Sequence, residues 1–206
     1  MPDITRIDTY GDPRFSQAVL DQHGAFLVDG EPYEVEVVGE HTARIRGARR
    51  ELYAVVIEDF RFYAGHICDF YDMAGEMVAQ YPPVERFAVK LDDLQPSQFY
   101  VDQEKLAAVR TFVKGPADVV VPVMPWEGRY ISQDGHTRLA AAVDLGFDKV
   151  FAFIEPANGY ILGFVEEARK RGVHTPYDLP VIPHGEYVVK WHRFCDVYFD
   201  RMAEED

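Results

Sequence analysis

Residues 130–146 read Tyr-Ile-Ser-Gln-Asp-Gly-His-Thr-Arg-Leu-Ala-Ala-Ala-Val-Asp-Leu-Gly. An extended run ends, Asp134-Gly135 makes a turn, and a helix begins. Ala140, Ala141 and Ala142 carry little bulk, so the helix can lie close on a sheet, and Gly146 is placed to stop it. The start of such a helix presents free backbone N–H groups and the positive end of its dipole, which together receive an anion. Arg138 adds a forked donor suited to phosphate oxygens. His136 can donate a hydrogen bond or move a proton near neutral pH. Asp134 can cap the helix, hold Mg2+ or accept a hydroxyl proton. Singly, each has an ordinary structural role: Asp-Gly is a common turn, Asp a common cap, and a first-turn arginine is often solvated. Asp, His and Arg within one strand-to-helix turn point to a site.

Working outward, FAVKL (87–91) reads as a strand, DLQPSQ (93–98) as a turn and DQEKLAAVRTFV (102–113) as a helix. VVVPVM (119–124) and RYISQ (129–133) read as strands joined by the turn PWEG (125–128), and KVFAFIE (149–155) closes the unit as a further strand. Trp126 is too large to sit on a tight turn without covering something, which makes it a candidate wall of a substrate pocket or a packing residue. Helices follow at 160–172 and from Glu186 onward. Towards the N-terminus, AFLVDGEPYEVEVV (25–38) holds an Asp29-Gly30 hairpin turn, with Tyr33, Val35 and Val37 alternating against Glu34 and Glu36. A third strand follows at 41–46. Residues 52–81 lack proline and repeat apolar residues at helical spacing, which predicts one long helix or two broken near Gly65. Pro82-Pro83 ends that pattern and marks a boundary.

With its order of elements, the stretch 87–155 resembles the ParB/sulfiredoxin superfamily. The LQPSQ segment with the helix after it, the strand VVVPVM, and a strand running into Asp-Gly-His-x-Arg and then Ala-Ala and Leu-Gly all occur in that family's order. ParB-type partition proteins carry a G-E-R-R box at this turn and sulfiredoxins G-G-C-H-R. Here Gly135 stands at the cysteine position, which excludes sulfinic-acid repair by that route. The box is most similar to that of the free-serine kinases of the superfamily. That resemblance implies nucleotide phosphates held by Gly135, His136, Thr137 and Arg138, with Asp134 as base or metal-linked residue and His136 beside it in catalysis. It also implies Mg2+ with ATP or ADP, and a small metabolite such as free serine as acceptor. One position departs: where those kinases hold a glutamate, this chain has Gln98, and a neutral amide cannot act as a base.

The expected fold is therefore α+β, with a ParB/sulfiredoxin-like mixed-sheet core (84–156), an N-terminal hairpin and long-helix lobe (1–83) and a C-terminal helical extension (157–206). The N-terminal lobe is free to cover the site or to mediate self-association into a homo-oligomer. The 206 residues are 48% hydrophobic and carry a net charge of −14, which supports a packed core and disfavours nucleic acid and anionic membranes as partners. The compact basic runs, ARIRGARR (43–50) and ARKRG (168–172), read as solvated faces rather than recognition elements. The two cysteines form no CxxC pair, no secretory leader is visible, and no run approaches the roughly 20 apolar residues of a membrane helix, so a cytoplasmic location is expected. Three functions compete on this reading: a small-molecule phosphotransferase, a ParB-like DNA-associated protein, and a ParB-like binding or regulatory module without turnover.

Overall fold

The computed structural model describes residues 2–157 and 159–205. The protein is α+β, and the chain divides into two compact units, 1–86 and 87–206.

The first unit is built on a six-stranded sheet whose spatial order is its chain order: β1 (Ile4–Arg6), β2 (Ala25–Val28), β3 (Glu31–Val37), β4 (Thr42–Gly47), β5 (Asp69–Tyr71) and β6 (Met77–Gln80). The Asp29-Gly30 turn between β2 and β3 has positive φ at both residues, 52° and 84°. Positive φ at both central positions makes the tight turn whose twist matches the strands. A short helix, α1 (Gln17–Asp21), precedes β2 and is capped by the Ser16 side chain. Helix α2 (Tyr53–Tyr63) carries the chain from β4 to a β5 that runs parallel to it. Its Tyr53, Val56, Ile57 and Phe60 are buried, the i, i+3, i+4, i+7 stripe expected of a helix lying on a sheet.

The reading of 52–81 as helix throughout is corrected here. The helix stops at Tyr63, before Gly65, and residues 69–80 form an antiparallel hairpin. Its turn is held by the Asp72 carboxylate, which accepts the N–H groups of Ala74 and Glu76, and by Gly75 at φ +80°. Phe70 and Val78 fit a half-buried strand as well as a helix face, and the turn decides between them.

The second unit is built on a five-stranded sheet. It comprises β7 (Arg86–Lys90), β8 (Leu94–Pro96), β10 (Val120–Trp126), β11 (Arg129–Ser132) and β12 (Lys149–Ile154), in the order β7-β12-β10-β11-β8. A two-stranded parallel ladder joins β9 (Val101–Asp102) to β13 (Val181–Ile182). The sheet is mixed: β10 and β11 are antiparallel, β12 is parallel to β10, and β8 is parallel to β11. Val120 to Val123 are buried without a break, as suits a central strand. Pro122 is tolerated there because its missing donor lies on the side of its own carbonyl. That carbonyl accepts Gln133 N–H, just past the end of β11, so only the reciprocal bond to Gln133 is forgone, beyond the paired part of that strand.

Two expectations need correction. Residues 94–96 form a fully buried edge strand rather than a turn, and β10 continues through Trp126, so the turn is Glu127-Gly128 alone. Pro96 ends an edge strand, one of the few places in a sheet where proline is accepted.

Helices α3 (Gln103–Phe112) and α4 (His136–Asp144) pack together on one face of the sheet, with Ala140, Ala141 and Ala142 against it. Neighbouring strand residues point to opposite faces. Ile131 accordingly packs on Ile161 and Val165 of α5 (Ile161–Lys170), while Ser132 faces His136. After α5 the chain forms α6 (His184–Tyr187), a π-helical turn over Val188–His192, and α7 (Arg193–Glu205). Phe164 meets Trp191, Phe194 and Tyr198 in edge-to-face contacts of 4.8–5.6 Å between ring centres, so the helices after residue 157 share the second unit with the strands.

Candidate functional site

The turn from Gln133 to Arg138 links the end of β11 to α4. Gly135 precedes the helix at φ +80°, in the left-handed region. A Cβ at this position would stand 2.7 Å from Val121 Cγ1 and 3.0 Å from Arg138 Nη2. The glycine is therefore required twice, by its dihedral and by the close approach of its neighbours.

Arg138 folds back over this glycine. Its Nη1 donates to the Val120 carbonyl at 2.7 Å, and its Nη2 stands 3.6 Å from Asp134 Oδ2. Only 16% of the side chain is exposed, against 51% for Asp134. Burial pulls the guanidinium pKa down and the Asp134 charge opposes that shift. The expectation of an exposed rim arginine is corrected: Arg138 is largely buried and ties α4 to the central strand. Arg138→Ala is accordingly expected to destabilise the protein by about 2 kcal/mol, the loss of a charged hydrogen bond to a buried carbonyl. Urea unfolding of the variant checks this; an unchanged midpoint would contradict it.

His136 is likewise turned inward, 4% exposed. Its Nε2 accepts the backbone N–H groups of Ser97 at 3.1 Å and Gln98 at 3.2 Å, with the Ser97 hydroxyl at 3.3 Å and the Ser132 hydroxyl at 3.5 Å. A ring nitrogen accepting N–H donors carries no proton, so the ring is neutral with its proton on Nδ1. Burial, the largest cause, pushes its pKa down to about 4; Asp134 and a hydrogen bond to the Ser132 backbone oppose that, and Arg138 adds to it. His136 is therefore neutral near pH 7, with its Nε2 turned into the core rather than towards the rim of the turn. It fastens the segment after β8 to the first turn of α4.

Of the other expected residues, Asp134 is half exposed at the turn and Thr137 is half-buried beside it. Gln98 lies close by, but its amide is occupied: Nε2 donates to the Tyr100 carbonyl and stands 3.3 Å from the Tyr187 hydroxyl. Trp126 is removed from the group. Gly135 lies against Val121, and Trp126 sits five residues further along β10, about 16 Å away at the usual strand rise. It packs with Met124 and Tyr160 on the α5 side of the sheet and is faced by the Arg169 guanidinium at 5.2 Å, so it is not a wall of a pocket at this turn.

Sequence reasoning passed over three further residues. Glu155 follows β12, half-buried, its pKa raised by burial and by the Asp134 charge. Gln133 holds the backbone there by donating to the Glu155 carbonyl at 3.0 Å. An acidic residue between a strand end and Pro156 was the available signal. Tyr187 is buried, and its hydroxyl pKa is raised by burial first and then by Asp102, with Cys195 and Asp134 adding to the rise. Asp102 looks in the sequence like a plain helix cap, and it does accept Glu104 N–H at 2.9 Å.

The Asp134 charge acts on Glu155, and Gln133 ties the Glu155 backbone to the turn that opens α4. The first helical N–H groups can meet anionic oxygens. No helix among the described residues is long and apolar enough to cross a membrane. No protein-family model matches the chain, and no curated protein matches it in sequence. Among solved structures, that of protein Atu1540 from Agrobacterium tumefaciens is similar over 47% of this chain and 62% of that one, at 14% identity and a TM-score of 0.35.

Proposed function

We propose that the second unit is a ParB/sulfiredoxin-like module that binds ATP or ADP with Mg2+ at the 133–138 turn and passes phosphate to the hydroxyl of a small metabolite such as free serine. The observation that carries this reading is the turn itself: a strand end, a left-handed Gly135 and an alanine-rich helix, with a half-exposed Asp134 beside the first helical N–H groups. Phosphoryl transfer needs positioning and charge neutralisation more than covalent chemistry, and a helix start serves both.

The residues fit Mg2+. Two carboxylates, one of them half-buried with its pKa raised by burial and then by the other's charge, repel a phosphate on their own and accept it with a divalent cation between. Mg2+ commonly takes one or two protein carboxylates together with phosphate oxygens and water. Among the described residues no group of three or more His, Cys, Asp or Glu side chains could hold a metal alone, so phosphate and water would supply the remaining ligands. Asp134 and Glu155 would hold the cation, which neutralises phosphate charge when bound. His136 and Arg138 fix the turn's shape from within.

A second reading, a ParB-like regulatory module that binds nucleotide without turnover, is favoured by Gln98, whose amide is committed to Tyr100 and Tyr187. Titration calorimetry on the wild type and on Asp134→Asn tests binding. Mg-ATP affinity should fall at least tenfold in the variant, about 1.4 kcal/mol, while the protein stays folded. Equal affinity in both would remove the cation site. A response to CTP alone would favour a ParB-like switch over a phosphotransferase.

A further inference from the structure

His184 and Asp102 are 82 residues apart in the chain, and His184 Nδ1 stands 2.6 Å from Asp102 Oδ2. The parallel pairing of Ile182 with Asp102 brings them together, since His184 opens α6 two residues beyond that pair. Asp102 is 1% exposed, and its other oxygen is used by Glu104 N–H, so the carboxylate is fixed in place. His184 is 46% exposed, and among the described residues its Nε2 makes no hydrogen bond. A buried carboxylate that fixes one ring nitrogen and leaves the other bare is the arrangement that makes histidine a directed proton acceptor.

This pair is linked to the turn already described through β9 and Gln98. Both α4 and α6 pack against β9, the strand that Asp102 ends. Tyr187 is one helical turn after His184, and its hydroxyl meets Gln98 Nε2 at 3.3 Å. Gln98 N–H in turn donates to His136 at 3.2 Å. After burial, the charges of Asp102 and Asp134 are among the causes that raise the Tyr187 pKa. The π-helical turn Val188–His192 follows directly, a departure from regular helix that recurs at functional sites.

We propose that His184, positioned by Asp102, is the general base that takes the proton from the acceptor hydroxyl. This rests on the phosphate reading of the 133–138 turn, and it supplies the base that Gln98 cannot be. The acceptor oxygen forms its bond to the terminal phosphorus while the bond from that phosphorus to the bridging oxygen breaks. The leaving nucleotide keeps that electron pair, and the acceptor's proton passes to His184 Nε2 and then to water. Asp102 and Glu104 raise the His184 pKa, the former first and mainly through the hydrogen bond, while Lys105 lowers it. His192, in the adjacent π turn, has its own pKa lowered, by burial first, with the charge of His184 among the smaller causes. The base is active when neutral, so turnover should climb with pH through the His184 pKa and level off above it.

The test uses the full chain with Mg-ATP and free serine, following phosphoserine formation from pH 5.5 to 9, with Mg-ATP thermal shift in parallel. His184→Gln should lower kcat at least 100-fold, about the scale of general-base loss, flatten the acidic limb and keep the wild-type thermal shift. Asp102→Asn keeps the helix cap and should move the acidic limb to lower pH, which a purely structural role would not do. Wild-type kcat and limb in His184→Gln, or an unmoved limb in Asp102→Asn, overturn the base assignment and leave the phosphate reading standing. Mg-ATP binding by the wild type with no phosphoserine formed also overturns the base assignment. No thermal shift in the wild type overturns both.

Discussion

Replacing His136 by alanine is expected to cost the second unit about 4 kcal/mol. The substitution removes the acceptor for the Ser97 and Gln98 N–H groups inside the core, and each buried donor left without a partner costs about 1–3 kcal/mol. The space of the lost ring adds to that. Against a usual domain stability of about 5–15 kcal/mol this is a large fraction, and the variant should unfold well below the wild type in urea. A histidine serving phosphate contact alone would give a stable variant with a binding defect.

The same residue sets an acid sensitivity. Its pKa is about 4 in the fold against an ordinary 6.5, so between those values the unfolded chain binds a proton that the folded chain refuses. Its contribution is complete above pH 6.5 and is lost as pH falls towards 4. At 1.36 kcal/mol per pKa unit this one group accounts for about 3 kcal/mol. The stability gap between wild type and His136→Ala should therefore narrow between pH 7 and pH 4.5. A gap of constant size would mean that His136 titrates alike in the folded and unfolded chain.

Gly135→Ala is expected to cost about 3 kcal/mol. Left-handed backbone is worth about 1–2 kcal/mol against a residue with a Cβ, and the new methyl would meet Val121 and Arg138 inside contact distance. Gly30 is the internal comparison. It has a similar φ of +84° but nothing within 4 Å of its absent Cβ, so Gly30→Ala should show the dihedral cost alone. Equal losses at the two positions would mean that the turn before α4 relaxes around the methyl and is not held by Arg138.

What the residues alone made legible was local. Asp29-Gly30 and Asp134-Gly135 announce turns because few other pairs adopt positive φ cheaply, and both occur where the sequence places them. The alanine run of α4 and the unbroken apolar run of β10 read correctly because composition follows burial on one or both faces. Residues 69–80 misled because Phe70, Met77 and Val78 satisfy a helical spacing by chance, and the capping turn at Asp72 is a side-chain event that periodicity does not register. Leu94–Pro96 misled because proline signals a turn while an edge strand tolerates it too. At the site, residue types were visible but directions were not. Whether His136 and Arg138 face out or in depends on Ser97 and on Val120, residues distant in the chain. The Asp102–His184 pair had no local signal, since it exists only through the β9–β13 ladder.

The most direct test of the phosphate site is a crystal structure grown with Mg2+ and a non-hydrolysable ATP analogue. Phosphate density against the N–H groups of residues 136–138, with the cation on Asp134 and Glu155 and with His136 still accepting Ser97 and Gln98, is the expected result. Nucleotide bound elsewhere on the chain, or His136 and Arg138 swung outward onto the phosphates, would contradict it.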